Sequence, residues 1–199
     1  MPDLSLETAY PGPVCGVDEV GRGPWAGPVL ACAVILDPSR VPAGLNDSKK
    51  LSARRREALL PAILAHADVG IGRAEVEEID RIDILAASHL AMCRAIDALA
   101  ISPATALIDG NRLPADLPCT GVTVVKGDSL SLSIAAASIV AKVLRDREMA
   151  DLARAFPGYG WERNAGYGTA EHRAGLKSLG VTPHHRRSFR PIHNILVQE

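Results

Sequence analysis

Short apolar runs bounded by glycine and proline alternate along this chain with stretches whose apolar residues recur at helical spacing. Val14–Val20 and Val29–Leu36 are the first two runs, and both read as strands, at least partly buried. Val69–Ala74, Thr105–Ile108 and Val122–Val125 are three more. Ser52 stands where a helix to about Ala67 needs its N-cap, and Pro61 is expected to kink or split that helix. From Glu77 to Ala100, the residues Ile79, Ile82, Leu85, Met92, Ile96 and Leu99 fall on one helical face and predict a single long helix. His89 falls on the same face and reads as a packing residue. Ser133 to about Phe156 predicts a helix with a small-sided surface at Ala135, Ala136, Ala137, Ser138 and Ala141, able to lie close to a sheet. Phe156-Pro157-Gly158-Tyr159-Gly160 breaks it, and Thr169–Leu179 predicts a shorter helix. This order of elements predicts an α/β domain with a mixed five-stranded sheet and a helical tail.

Composition narrows the picture. A chain of 199 residues, 47% hydrophobic and 23% charged, suits one domain or one domain with an appendage. Aromatics are only 4%, so the core must be built of Ala, Leu, Ile and Val. A net charge of −1 gives no global footprint for nucleic acid, and any polyanion site must be a local patch. Cys15, Cys32, Cys93 and Cys119 form no C-x-x-C pair, which predicts four buried, reduced thiols rather than a zinc site. The first residues lack a basic leader region, and no apolar run reaches the roughly 18 residues of a membrane span. A cytoplasmic protein with no membrane association is expected.

The acidic residues at strand ends carry the chemistry. Asp18-Glu19 lie late in the first strand, where the residues before them read as buried. Asp109 closes the fourth strand and Asp128 follows the fifth. Strand ends of open α/β sheets commonly hold the active site. Carboxylates gathered there repel one another and are tolerable when cations neutralise them. An all-oxygen donor set selects Mg²⁺ or Mn²⁺ over Zn²⁺, and two such ions can clamp the attacking and leaving oxygens of a phosphoryl displacement. Asp109, before Gly110-Asn111, also reads as an ordinary turn residue. Gly21, Gly23 and Gly27 lack the spacing of a dinucleotide loop, and Pro24 and Pro28 interrupt any helix that would follow. Arg54–Arg56 read as a solvated helix face. Lys49-Lys50 and the segment around Arg186-Arg187 suit phosphate contacts, which position a nucleic acid without reading its sequence.

These motifs resemble bacterial ribonuclease HII, of the type 2 ribonuclease H family, over about residues 14–197. The resemblance is carried by Gly16-Val17-Asp18-Glu19-Val20-Gly21-Arg22-Gly23-Pro24, Leu45-Asn46-Asp47-Ser48-Lys49-Lys50-Leu51-Ser52 and Leu107-Ile108-Asp109-Gly110-Asn111. It continues through Lys126-Gly127-Asp128-Ser129, residues 133–147, Gly166-Tyr167-Gly168-Thr169 and residues 184–189. It implies an RNase H-like fold in residues 1–155, with a C-terminal helical and basic extension, 156–199, packed on it as one structural unit. It implies hydrolysis of the RNA strand of RNA–DNA hybrids and incision 5′ of single ribonucleotides embedded in duplex DNA, leaving a 3′-hydroxyl and a 5′-phosphate. Asp18, Glu19, Asp109 and Asp128 take the family's metal-ligand roles, for two Mg²⁺ or Mn²⁺ ions. Gly21, Arg22 and Gly23 take the turn whose backbone meets the 2′-hydroxyl, and Tyr167 takes the junction-sensing ring, though it also reads as a packing residue. Lys49, Lys50, Arg186 and Ser188 are carried over for phosphate binding. The expected partners are the hybrid and the ribonucleotide-containing duplex, with no obligate protein partner and a monomer as the default. Ile195-Leu196-Val197-Gln198-Glu199 shows no recognisable clamp-binding peptide. Trp25 and Asp83 depart from the family pattern, where an aliphatic residue and Asn are more usual.

Overall fold

The computed structural model describes residues 1–197; Gln198 and Glu199, the end of the segment without a recognisable clamp-binding peptide, lie outside them. A short α1 (Ser5–Ala9) leads into β1 (Val14–Val20) and β2 (Val29–Leu36), an antiparallel pair. Helix α2 (Ala53–His66) and strand β3 (Ala67–Ala74) follow, with β3 antiparallel to β2. After α3 (Val76–Ile82) and α4 (Ile84–Asp97), strands β4 (Thr105–Asp109) and β5 (Thr120–Val124) add in parallel on the other side of β1. The sheet order is β3-β2-β1-β4-β5, the mixed five-stranded sheet expected. Helix α5 (Leu132–Ala155), α6 (Trp161–Asn164), α7 (Ala170–Leu179) and α8 (Arg190–Leu196) complete the chain.

The two faces of the sheet follow from the period of two in its strands. Val29, Ala31 and Ala33 of β2 pack with Cys15 and Val17 of β1 against Ala87, Ala91 and Ala95 of α4. Cys32, Val34 and Leu36, one residue out of phase, pack against Leu59, Leu60 and Ile63 of α2 and Ala136, Ala137 and Val140 of α5. Helix α5 lies so close to β1 that a Cβ on Gly16 would overlap the backbone of Ser133 and Ile134. The alanine-rich surface of α5 and the bare Gly16 are therefore one adaptation seen from two sides. Ser131 caps α5, its hydroxyl accepting from the Ile134 N–H at 3.1 Å, a contact worth about 1 kcal/mol.

Several expectations are corrected. The long helix of residues 77–100 is two helices: Asp83 breaks the chain with φ 71° and ψ 167°, and its carboxylate caps α4 by accepting from the Leu85 and Ala86 N–H groups. The apolar spacing runs on across the break, so periodicity alone could not reveal it. Pro61 sits inside an uninterrupted α2. It is solvent-exposed, as is Glu57 four residues earlier, so the carbonyl that loses its partner faces water. Cys15 and Cys32 are buried, whereas Cys93 and Cys119 are half-buried, and all four are free thiols. Among the described residues, no helix is long and apolar enough to cross a membrane.

Candidate active site

The sheet register brings the acidic residues to one end. Val17 of β1 is level with Ile108 of the parallel β4, so Asp18 and Asp109, each one residue further on, share that end. Asp109 is level with Val124 of β5, and the chain then turns through Lys126, in the left-handed region at φ 58°, into the 3-10 turn Gly127–Ser129 that carries Asp128. The Gly127 N–H donates to Asp109 Oδ1 at 2.7 Å and locks that turn against β4. The Glu19 N–H donates to Asp18 Oδ1 at 2.7 Å. Asp18 and Asp128 are buried, at 8% and 5% exposure, and the Glu19 side chain is 11% exposed.

The electrostatics are those of a crowded anionic site. Burial first, then the charges of Glu19 and Asp109, push the Asp18 carboxyl well above the usual range. Burial also raises Asp109; the Gly127 hydrogen bond and Lys49 pull the other way, while Glu19 adds to the rise. Asp128 is raised by burial, then by Asp109 and Asp47. Asp47 is a fifth carboxylate beside this cluster, not singled out from the sequence although it stands in the Leu45–Ser52 motif that carried the resemblance. Its Oδ1 accepts from the Lys49 N–H at 2.9 Å and shapes the turn that presents Lys49 and Lys50. Arg56 helps hold that turn, donating to the carbonyls of Ser48 and Leu51 at 2.8 and 2.6 Å, so one arginine of the expected solvated face is tied inward.

Lys49 Nζ lies 4.0 Å from Asp128 Oδ2, with its side chain otherwise exposed. Lys50 Nζ donates to Ser129 Oγ at 3.1 Å and lies 3.8 Å from Asp47 Oδ2. On the other flank a groove of about 480 Å³ runs past Glu19 and Asp109, bounded by Arg22, His89, Asn111 and Arg112. His89, expected as a packing residue, lines this groove. The α4 residues that are buried are Ala87, Ser88, Ala91, Met92, Ala95 and Ile96, which leaves position 89 at the edge of that face. Asp146 stands apart from the cluster, held by Lys142 Nζ at 2.7 Å and near Arg56 Nη2 at 3.7 Å.

Two substrate-binding expectations are corrected. Arg186 is fully buried, and all five of its N–H donors go to carbonyls of the Gly21–Pro28 loop, so none is left for a phosphate. Ser188 is exposed, but its hydroxyl donates to Asp80 Oδ1 at 2.6 Å, beside a carboxylate that would repel a phosphate. Arg22 is exposed and reaches Glu19 Oε1 at 3.2 Å. Tyr167 is 48% exposed and lies over Gly23. The departures from pattern are local: Trp25 packs its indole against Gly168, and Asp83 makes the helix break described above.

The family model described as Ribonuclease HII matches residues 15–192. The chain belongs to the ribonuclease HII family. A relative named Ribonuclease HII from Ruegeria pomeroyi is 61% identical, the match covering all of this chain and 87% of that protein. Among solved structures, the ribonuclease H2 from Pyrococcus horikoshii OT3 matches with TM-score 0.76 and 26% identity, over 93% of this chain and 97% of that one. A Bst-RNase HIII in complex with Mn²⁺ shares the fold with TM-score 0.72 at 21% identity, over 93% of this chain and 69% of that one. The chain is thus a hydrolase of the ribonuclease H type, an enzyme acting on the RNA of RNA–DNA hybrids, and its fold is RNase H-like.

The donor set fits hard divalent cations in kind. Among the described residues, Asp18 keeps one carboxylate oxygen without a hydrogen-bond donor, and the raised carboxyl groups of Asp18 and Asp109 describe a cluster that positive charge would relieve. Among the described residues, no three Asp, Glu, His or Cys side chains already stand in ligating position about one point. The candidate site is a gathering of carboxylates rather than a closed cage.

Proposed function

We propose that this enzyme hydrolyses the RNA strand of RNA–DNA hybrids and also incises 5′ of single ribonucleotides in duplex DNA, leaving a 3′-hydroxyl and a 5′-phosphate. The observation that carries the reading is the convergence of Asp18, Glu19, Asp109 and Asp128 at one end of three adjacent parallel strands, between two lysines and an exposed glycine turn. Those four carboxylates would hold two Mg²⁺ or Mn²⁺ ions, which supply Lewis acidity for activating water and stabilising the leaving oxygen when bound. The protein's own groups do the rest. Lys49 and Lys50 give positive charge at the rim where phosphates pass. The backbone of Gly21–Gly23 meets the 2′-hydroxyl, which as donor and acceptor is what marks RNA. Tyr167 stacks on the neighbouring deoxyribose, where a second 2′-hydroxyl would clash. In the same reading, residues 1–155 form the catalytic unit, the helical and basic extension that follows belongs to the same structural unit, and the enzyme works as a monomer.

The test is cleavage of three matched duplexes in Mg²⁺ or Mn²⁺: all-DNA, RNA–DNA hybrid, and DNA with one ribonucleotide. The reading expects the last two to be cut and the first left intact, with single-ribonucleotide cuts on the 5′ side. Cleavage of all-DNA duplex, or an intact single-ribonucleotide duplex, would defeat it.

A further inference from the structure

Beneath the exposed turn lie two buried guanidinium groups that the reaction as read above does not use. Arg145, on α5, donates through Nε to the Pro28 carbonyl at 3.1 Å, through Nη1 to Ala165 at 2.9 Å and through Nη2 to Ala26 at 3.1 Å. Arg186 donates through Nε to Gly27 at 2.9 Å, through Nη1 to Arg22 and Pro24 at 3.0 and 2.8 Å, and through Nη2 to Gly21 and Pro28 at 2.5 and 3.2 Å. Both residues are fully buried, and every one of these acceptors is a backbone carbonyl. Burial, then the neighbouring Arg145 charge, lowers the Arg186 pKa to about 9, which still leaves it a cation at neutral pH.

The peptide group turns these contacts into a statement about the outer face. In a trans peptide, the carbonyl of one residue and the N–H of the next point in opposite directions. The Gly21 carbonyl points in to Arg186, so the Arg22 N–H points out. The Arg22 carbonyl also points in, so the Gly23 N–H points out. The same logic sends the Trp25 N–H away from Arg186, where it donates to the Gly166 carbonyl at 2.8 Å. The Arg22 and Gly23 N–H groups, by contrast, have no acceptor among the described residues, and both residues are exposed. Two adjacent free donors thus stand above two buried cations that form no close ion pair among the described residues, with Asp80 acting on Arg186 only at longer range, an arrangement suited to an electron-rich oxygen.

We propose that Arg186, with Arg145 beside it, is the positioning residue of the Gly21–Pro28 turn, holding its carbonyls inward so that the Arg22 and Gly23 N–H groups meet an acceptor oxygen of the ribonucleotide. The inference rests on the proposed reading that this turn meets the 2′-hydroxyl. It assigns the arginine of the C-terminal segment to ribonucleotide recognition through the backbone, not through its own contact with nucleic acid.

The test uses the full chain carrying Asp109→Asn, which binds without cutting, and compares its affinity for a hybrid with its affinity for an all-DNA duplex. Adding Arg186→Lys keeps the charge but supplies at most three donors for five carbonyls. The preference for hybrid should fall roughly fivefold or more, the loss of about one good hydrogen bond, while all-DNA affinity stays within about twofold. Arg145→Lys, which loosens the hold on the Ala26 carbonyl and leaves Pro28 to Arg186 alone, should act in the same direction. A merely structural role would lower the melting temperature and leave the ratio unchanged, and that result overturns the inference. If neither lysine variant melts cooperatively, amide exchange in the Asp109→Asn protein decides. Arg22 and Gly23 amides protected by hybrid but not by all-DNA duplex support the inference, and unprotected amides overturn it. A parent with no preference for hybrid overturns the substrate reading together with this inference. A parent with the preference, and an unchanged ratio in Arg186→Lys, overturns this inference alone.

Discussion

Tyr167 rests on Gly23: its Cε1 lies 3.1 Å from the place a Cβ on Gly23 would occupy, closer than side chains pack without moving. The ring thus lies directly over the exposed turn and is held there by the bareness of the glycine. Gly23→Ala should displace the ring with little effect on folding, because the position is exposed. Tyr167→Phe should be mild and Tyr167→Ala severe, since stacking needs the ring more than the hydroxyl. Both Gly23→Ala and Tyr167→Ala should lose more activity on single-ribonucleotide duplexes than on long hybrids. Kinetics on the two substrates check this, and equal losses would make Tyr167 a packing residue.

Gly16→Ala should destabilise the protein by about 1–3 kcal/mol, the usual cost of overpacking, because its Cβ would overlap the backbone at Ser133 and Ile134. Denaturant unfolding measures it. A change below about 0.5 kcal/mol would mean that α5 can slide away from β1 at little cost.

How much of this could be read from the residues differs by feature. The strands were legible because Val14–Val20 and Val29–Leu36 are apolar runs between turn signals, and the sheet buries both their faces. The carboxylates were legible as a group because the adjacent pair Asp18-Glu19, after residues that read as buried, is hard to explain as turn chemistry, although Asp109 alone also read as a turn residue. The α3–α4 break was not, because the apolar stripe continues through Asp83 while the backbone there adopts a positive φ. Arg186 was misread for a related reason. A basic residue among His and Ser looks like a surface contact, and only the fold reveals acceptors 158 to 165 residues away in the chain. Asp47 was missed because its approach to Asp128 is made by the tertiary fold.

The buried histidines should make stability fall on the acid side. The Thr182 N–H donates to His185 Nδ1 at 2.9 Å, so His185 carries its proton on Nε2 and donates to His172 Nε2 at 3.0 Å. That nitrogen also accepts from Trp161 Nε1, and His172 Nδ1–H donates to the Tyr167 carbonyl at 3.0 Å. Burial, then the neighbouring His172, pulls the His185 pKa down to about 3, and burial lowers His172. A base with a depressed folded pKa gives stability that is present above its unfolded pKa of about 6.5 and is lost progressively as pH falls toward the folded value. The melting-temperature gap between wild type and His185→Gln should therefore narrow between about pH 7.5 and about pH 5. A gap that does not change with pH would contradict the neutral, buried pair.

Asp109→Asn should abolish cleavage while leaving the fold intact. The asparagine oxygen can still accept from the Gly127 N–H, so the turn survives, and removing one negative charge relieves Glu19 and Asp128. Thermal melting in a chelator should give a midpoint equal to or above that of wild type. Wild-type turnover in saturating Mg²⁺ would remove Asp109 from the ligand set.

The account stands on the assignment of the fourth carboxylate to Asp128 and not to Asp146. Asp128 is buried beside Asp109 and Lys49, whereas Asp146 is engaged by Lys142 and lies near Arg56. From Leu132, the first residue of α5, to Asp146 is roughly 20 Å along the helix, far more than the span of a two-ion site. The deciding measurement is hybrid cleavage by Asp128→Asn and Asp146→Asn, paired with thermal melts of both. Asp128→Asn should lose activity by orders of magnitude and melt like wild type, while Asp146→Asn keeps most activity with at most a modest loss of stability. An active Asp128→Asn beside a folded but inactive Asp146→Asn would contradict the account.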